Sequence, residues 1–267
     1  MTHVSTVTGH TGCDDAGCQH RVCRSISGPK PLKRHKVLRR GDRLELEHGS
    51  CRKVWILLNG MTAMCVGLAD GRRQILGLDV PGGIICGMST GQHSGAWIEA
   101  FCDTVLCELE LQVAAQFQAD NAAPSDGMEV IANLFSVIHQ RLERYSSHLV
   151  TLGRLDSTER VTLFLLDMAI RLGRPCGQAV FVELPMTRED IADYLGLNTE
   201  TISRIFTRLK KSKLVQFPSR SSFSIPEPER LERRLPLPVP HHMSLDQLET
   251  FLSTLHGHAA SFDGVRQ

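Results

Sequence analysis

The sequence predicts an α+β chain in three parts: a barrel of short strands, one long helix, and a C-terminal pair of short helices with small strands beside them. Three observations predict it. Strand-like runs separated by turn residues fill the stretch from about Lys33 to Gln118. Apolar residues then recur at heptad spacing from Met128 to Leu152. From Met186 to Val215 two amphipathic segments meet at a glycine corner.

A chain of 267 residues has room for one large or two modest domains, each with its own core. Apolar residues make up 42% and charged residues 22%, the balance of an ordinary soluble globular protein. A net charge of +1 means that any charge meant for a polyanion must be local. No run of about eighteen apolar residues occurs, so no membrane partner is expected. The N-terminus lacks the charged start and apolar stretch of a secretory signal. Nine cysteines, an odd number without an export signal, point to reduced thiols in the cytoplasm rather than a disulfide framework. No C-x-x-C pair, nucleotide loop or Ser/His/Asp context supports an enzyme.

Residues 1–28 form a polar arm, rich in Thr, His and Gly, with too little apolar material for a core. It carries Cys13, Cys18 and Cys23 in a C-x4-C-x4-C pattern. On an α-helix a five-residue step rotates by about 140°, which would scatter three such thiols. They converge only on a wrapped loop, which Gly12 and Gly17 permit. A four-iron cubane takes one thiolate per iron, so three local thiols need a fourth. Cys51, Cys65, Cys86, Cys102, Cys107 and Cys176 are the remaining candidates, and the residues alone do not choose among them. Zinc held with His10 or His20, or a reversible disulfide switch without any cofactor, fits the same three thiols.

Residues 29–125 carry the strand-like runs DRLELE, KVWILL, TAMCVGL, RQILGL, GGIICG and TVLCELEL. Arg40-Gly41-Asp42, Asn59-Gly60, Asp70-Gly71 and Pro81-Gly82-Gly83 punctuate them as turns. Strands this short and this evenly spaced read as an all-β barrel or jelly roll. In residues 126–153, Met128, Ile131, Phe135, Ile138, Leu142, Tyr145 and Leu149 alternate at three and four residues. So narrow a stripe on one helix asks for a twin, and it is read as a homodimer interface. The alternative is burial against the chain's own barrel.

Residues 154–230 open with Asp156-Ser157 capping a helix whose inner side is Val161, Phe164, Leu165, Met168 and Leu172. Thr187 and Asp190 then have capping-box spacing, Gly196 makes the corner, and Asn198 caps a second helix. Ile202, Ile205, Phe206 and Leu209 form that helix's inner stripe. Val180 to Leu184 and Leu214 to Ile225 read as the strands of a wing. The whole is a winged helix-turn-helix whose second helix can enter a DNA major groove. Glu200, Ser203 and Arg204 project together at i, i+3 and i+4, where a carboxylate can accept from cytosine and a guanidinium can grip guanine. Thr187, Asn198, Thr199, Thr201, Arg208 and Lys210 complete the candidate DNA-binding set, with Lys211 and Lys213 suited to phosphates. Between Met186 and Arg220 seven Lys/Arg face four Asp/Glu, so the charge is concentrated where double-stranded DNA would lie. Residues 231–267, rich in proline at first, read as a linker and extension without chemistry.

The run Glu200-Thr201-Ile202-Ser203-Arg204 after the Leu195-Gly196-Leu197 corner resembles the recognition helix of the CRP/FNR family of bacterial transcription regulators, in its FNR and FixK branch. The likeness extends more loosely from about Lys33 to Ile225. It implies a cyclic-nucleotide-binding-like barrel, a long dimerisation helix, half-sites like TTGAT in near-palindromes, and RNA polymerase as a second partner. Family members that bind a cyclic nucleotide carry an Arg after a Gly-rich phosphate loop. Here Gly91 to Glu99 has no Arg or Lys, and Glu99 would repel an anion, so no cyclic nucleotide is expected. In the family's oxygen sensors three N-terminal cysteines join one on a late barrel strand, in a context similar to TVLCELE. The resemblance thus implies a [4Fe–4S] cluster on Cys13, Cys18, Cys23 and Cys107, with Cys102 the nearest rival to Cys107. It implies control of low-oxygen metabolism genes in response to oxygen or nitric oxide. The sequence departs from those sensors in the wider spacing of its first two cysteines and in a shorter link from arm to barrel.

Overall fold

The computed structural model describes residues 33–48, 53–86, 88–89, 96–110, 124–237 and 239. The barrel is built from β1 (Lys33–Leu38), β2 (Arg43–Glu45), β3 (Glu47–His48), β4 (Lys53–Asn59), β5 (Thr62–Gly67), β6 (Arg73–Asp79), β7 (Ile84–Cys86), β8 (Met88–Ser89), β9 (Ala96–Ala100) and β10 (Thr104–Glu110). Two antiparallel four-stranded sheets, in the orders β1-β10-β4-β7 and β2-β9-β5-β6, make its walls, and β3 pairs with β8 in parallel. Leu38, Trp55, Leu57, Ile85 and Leu106 of one wall meet Leu44, Ile98 and Ala100 of the other in a shared core. That is the jelly-roll arrangement the strand runs predict.

The expected turns sit where the glycines are. Gly60 shows why the residue is required: its φ is +95°, and a Cβ there would also collide with Thr104 Oγ1 and the Asp103 carbonyl. Two strands carry no clean alternation of their own. β1 is mostly basic, and β9 lies inside the stretch read as a phosphate loop. β9 is a central strand between β2 and β5, so Ala96 to Glu99 is sheet and not loop.

α1 (Pro124–Arg154) leaves the barrel as a 31-residue helix, close to the predicted limits. Asp156 caps α2 (Ser157–Leu172) through a full capping box with Glu159, and Val161, Phe164, Leu165 and Met168 are buried as expected. The module continues through β11 (Arg174–Cys176), β12 (Ala179–Glu183), α3 (Arg188–Leu195), α4 (Thr199–Lys211), β13 (Gln216–Ser219), β14 (Ser222–Ile225) and α5 (Pro228–Glu232). The wing sheet runs β11-β12-β14-β13, one strand more than predicted. Leu231 and Val239 are buried in the same core, so the module extends at least to Val239 rather than stopping at residue 230. One apolar cluster joins Met61, Cys65, Ile75 and Phe101 of the barrel to Leu163, Ile191, Ile205 and Phe223 of the C-terminal module. Among the described residues no helix is long and apolar enough to cross a membrane.

Candidate nucleic-acid interface

α3 and α4 are fixed from both ends by short-range chemistry. The Asp190 amide donates to Thr187 Oγ1 at 3.1 Å, and the Thr187 amide donates back to Asp190 Oδ2 at 2.7 Å. α3 ends at Gly196 in the left-handed region, φ +62°, and the Leu197 amide reaches the Ala192 carbonyl at 3.0 Å. Asn198 Oδ1 accepts the Thr201 amide at 2.7 Å, which starts α4 at Thr199, three residues after the Gly196 corner. Ile202, Ile205, Phe206 and Leu209 are buried against α2 and the wing.

What remains outside is the predicted face. Glu200 and Arg204 are about three-quarters exposed and pair across one turn at 2.5 Å. Pairs this exposed add little stability; the pairing instead holds the guanidinium beside the start of α4, where base edges would lie. Ser203 Oγ donates to the Thr199 carbonyl at 2.9 Å, and its oxygen still accepts. Thr199, Arg208 and Lys210 are exposed, and Thr201 is half-buried at the same end. Arg208 leans toward α2, 3.4 Å from Thr158 Oγ1. Thr187 is exposed, but its hydroxyl is engaged in the cap with Asp190. Two exposed cations beside this face had no signal in the helix pattern. Arg188 lies 4.9 Å over the Phe206 ring, and Arg220 sits at the tip of the wing hairpin.

The module is docked on the barrel by charge. Arg73 of β6 donates to Glu99 at 2.6 Å, to Asp193 at 2.7 Å and to Asp190. Gln74 Nε2 adds the Asp193 carbonyl at 2.7 Å. Burial alone would lower the Arg73 pKa, but Asp193, Glu99 and Asp190 outweigh it and raise it. Glu99 therefore does not stand as a bare carboxylate facing a pocket, as the sequence suggests. Arg73, Arg43 at 3.2 Å and Trp97 Nε1 at 2.9 Å satisfy it.

The expected sensor thiols divide. Cys13, Cys18, Cys23 and Cys51 lie outside the described residues. Cys107 is buried in β10, with His35 of β1 and Ile56 of β4 as cross-strand neighbours. Its neighbour Leu106 points into the barrel core, so Cys107 belongs to the outer face of that wall. Cys102 is half-buried and precedes β10. Cys65 is buried, and that burial together with Glu99 pushes its thiol up to about 12, which leaves it unreactive. Cys176 is exposed on β11, a short edge strand whose three residues are all exposed. Among the described residues no three His, Cys, Asp or Glu side chains gather as a metal site.

Of the predicted dimer row, Phe135, Ile138, Leu142 and Leu149 are between 60% and 69% exposed. Met128 and Ile131 lie on α1, but their side chains are outside the described set. Tyr145 leaves the row. It stands at the rotational edge of the stripe, and Gly77 of β6 leaves room for its ring. Its hydroxyl donates to Met64 Sδ at 3.1 Å and accepts from Arg141 Nε at 2.9 Å, so it faces the barrel.

A jelly-roll barrel, a long helix with a bare apolar stripe and a winged helix-turn-helix together define a DNA-binding regulator. Residues 159–234 match the Crp-like helix-turn-helix domain. The chain is 34% identical to the nitrogen fixation regulation protein FixK of Rhizobium meliloti, covering 80% of this chain and 91% of that protein. It is 31% identical to FixK of Azorhizobium caulinodans, over 77% and 78%. The solved structure of FixK2 from Bradyrhizobium japonicum overlays it with a TM-score of 0.65 at 27% identity, covering 77% of this chain and 98% of that one. The chain belongs to the CRP/FNR family, in its FixK branch, and is a DNA-binding transcription regulator and not an enzyme.

Proposed function

We propose that this regulator senses oxygen or nitric oxide through a [4Fe–4S] cluster held by Cys13, Cys18, Cys23 and Cys107. It acts in the cytoplasm as a homodimer on TTGAT-like palindromes, where it also meets RNA polymerase and controls genes of low-oxygen metabolism. The observation that carries the sensor reading is the place of β1. Lys33 pairs with Leu109, and His35 pairs with Cys107 itself. Lys33 therefore lies beside β10 two residues, or about 7 Å, from Cys107 in the middle of that strand. Cys23 is ten residues before Lys33, a span that reaches up to roughly 35 Å. Cys102 lies beyond the opposite end of β10. The outward side of Cys107 also suits a ligand, since the barrel interior is already filled by Leu106 and its neighbours.

When bound, the cluster supplies iron and sulfide that oxygen or nitric oxide can attack. The chain's part is to connect β10 to the dimer. The apolar row of α1 gives the second protomer a surface, and two copies of α4 then read two half-sites one DNA turn apart. No large energy is involved, because a tenfold shift in a balanced monomer–dimer equilibrium takes about 1.4 kcal/mol.

Protein purified without oxygen should be brown and contain about four irons per chain if this reading holds. Cys107→Ser should lose that iron, and Cys102→Ser should keep it. Full iron in Cys107→Ser, or zinc in place of iron in the parent protein, would exclude the proposed ligand set. For DNA, Arg204→Ala should cost about 1–3 kcal/mol on a TTGAT-type site and little on unrelated duplex. An equal loss on both would reduce Arg204 to a phosphate contact.

A further inference from the structure

Between β6, α1, α2 and α3 lies a partly open cavity of about 60 Å³ lined by both charged and apolar side chains. A water needs roughly 10–15 Å³ by such a measure, so the space suits an ion of four or five heavy atoms and not a nucleotide. Four guanidiniums line it, and three are matched. Arg141 stands 3.5 Å from Asp79, and Arg171 stands 3.2 Å from Asp167. Arg160 donates to the carbonyls of Leu152, Leu155 and Leu195 at 2.7 to 3.1 Å. Arg144 is left over. It is half-buried and makes no hydrogen bond among the described residues; burial lowers its pKa, and the nearby Asp79 carboxylate acts in the opposite direction. Its donors are open to an anion's oxygens, and a monoanion would offset the excess of four guanidiniums over the carboxylates of Asp79 and Asp167 in the lining.

One turn along α1, on the same side, is His148. Its ring stacks on Tyr194 at 4.2 Å, and one nitrogen bonds the Tyr194 backbone. Nε2 is buried without any partner. Burial holds this histidine neutral, with a pKa lowered to about 4, so the bond to the Tyr194 carbonyl comes from the protonated nitrogen and Nε2 is an acceptor. The cavity thus presents a cation seeking acceptor oxygens and a lone pair seeking an O–H.

We propose that this cavity binds a small, singly charged oxyanion that retains a proton, of the class of bicarbonate and dihydrogen phosphate. Its oxygens meet the Arg144 fork and its O–H donates to His148 Nε2. The site touches the barrel, the long helix and, through Tyr194 and Asp167, the DNA-binding module. It does not depend on the cysteine cluster.

The test is titration calorimetry on the full chain without DNA, at constant ionic strength, with sodium bicarbonate, sodium phosphate and sodium nitrate. Nitrate matches bicarbonate in size and charge but has no O–H. Saturable binding of bicarbonate or phosphate is expected, at least tenfold tighter than nitrate and at least tenfold weaker in Arg144→Gln. If Arg144→Gln does not fold, Arg144→Lys keeps the charge and loses the fork, and the same tenfold loss is expected. No saturable binding, nitrate binding as tightly, or binding unchanged in the Arg144 variant would each overturn the proposal. In the last case the anion sits on the DNA-facing cations instead.

Discussion

The outward face of α1 carries Phe135, Ile138, Leu142 and Leu149, each more than half exposed. The inward face carries Arg141, Arg144, His148 and Thr151, which are partly or fully buried against the barrel and the C-terminal module. A helix on a finished surface has the reverse pattern, with apolar groups inside and charges in water. The difference teaches that the two faces have different neighbours. The inner one joins two domains of one chain through polar contacts that can be rearranged. The outer one is the apolar surface proposed above to meet a second copy of the same helix.

Leu142→Glu breaks the outward side of this comparison and should have the largest effect. Burying a leucine contributes about 1.5–3 kcal/mol, and a symmetric interface counts it twice. Two carboxylates would also face each other. The dimer should weaken by a factor of about 100 or more, read by sedimentation at micromolar protein. Palindrome binding should fall with it while the monomer stays folded. An unchanged dimer would assign the apolar row another role.

Arg73→Gln tests the inner, polar side. It leaves Glu99, Asp190 and Asp193 without their shared cation, in a site where Arg73 is only 19% exposed. Removing one partner of a buried ion network costs about 3–5 kcal/mol. Thermal unfolding should shift down accordingly, or split into separate barrel and C-terminal transitions. A loss below about 1 kcal/mol would mean that the apolar cluster alone docks the module.

These two sides were not equally legible in the sequence. The outward row, the capping boxes at Asp156 and Thr187, and the Gly196 corner all follow from neighbours within one or two turns, so spacing suffices to find them. Arg73 could not be read that way, because its partners Asp190 and Asp193 lie 117 and 120 residues away. Glu99 looks bare in the sequence for the same reason, since Arg43 of β2 and Arg73 of β6 reach it only once the sheet β2-β9-β5-β6 has formed. Tyr145 keeps the heptad phase, and only the missing side chain of Gly77, 68 positions earlier, draws it to the barrel. Local chemistry therefore marks the groove-reading face, while the coupling between domains is written in long-range pairs that a single sequence does not expose.

A pH series separates the two faces further, because the outward row has no titrating group. His148 has Arg160, Asp167 and Tyr194 around it, and burial lowers its pKa from 6.5 to about 4. Between those values the unfolded chain binds a proton that the folded chain refuses. Stability from this group is therefore complete above about pH 6.5 and is lost as pH falls toward 4, by up to about 3 kcal/mol. Chemical denaturation at pH 7.0 and pH 5.0 should show that loss in the parent protein. His148→Gln, which cannot take up the proton, should have the flatter profile by about 2 kcal/mol over the same interval. Parallel profiles would mean that His148 is as accessible to protons folded as unfolded, and that the inner face of α1 is open to water.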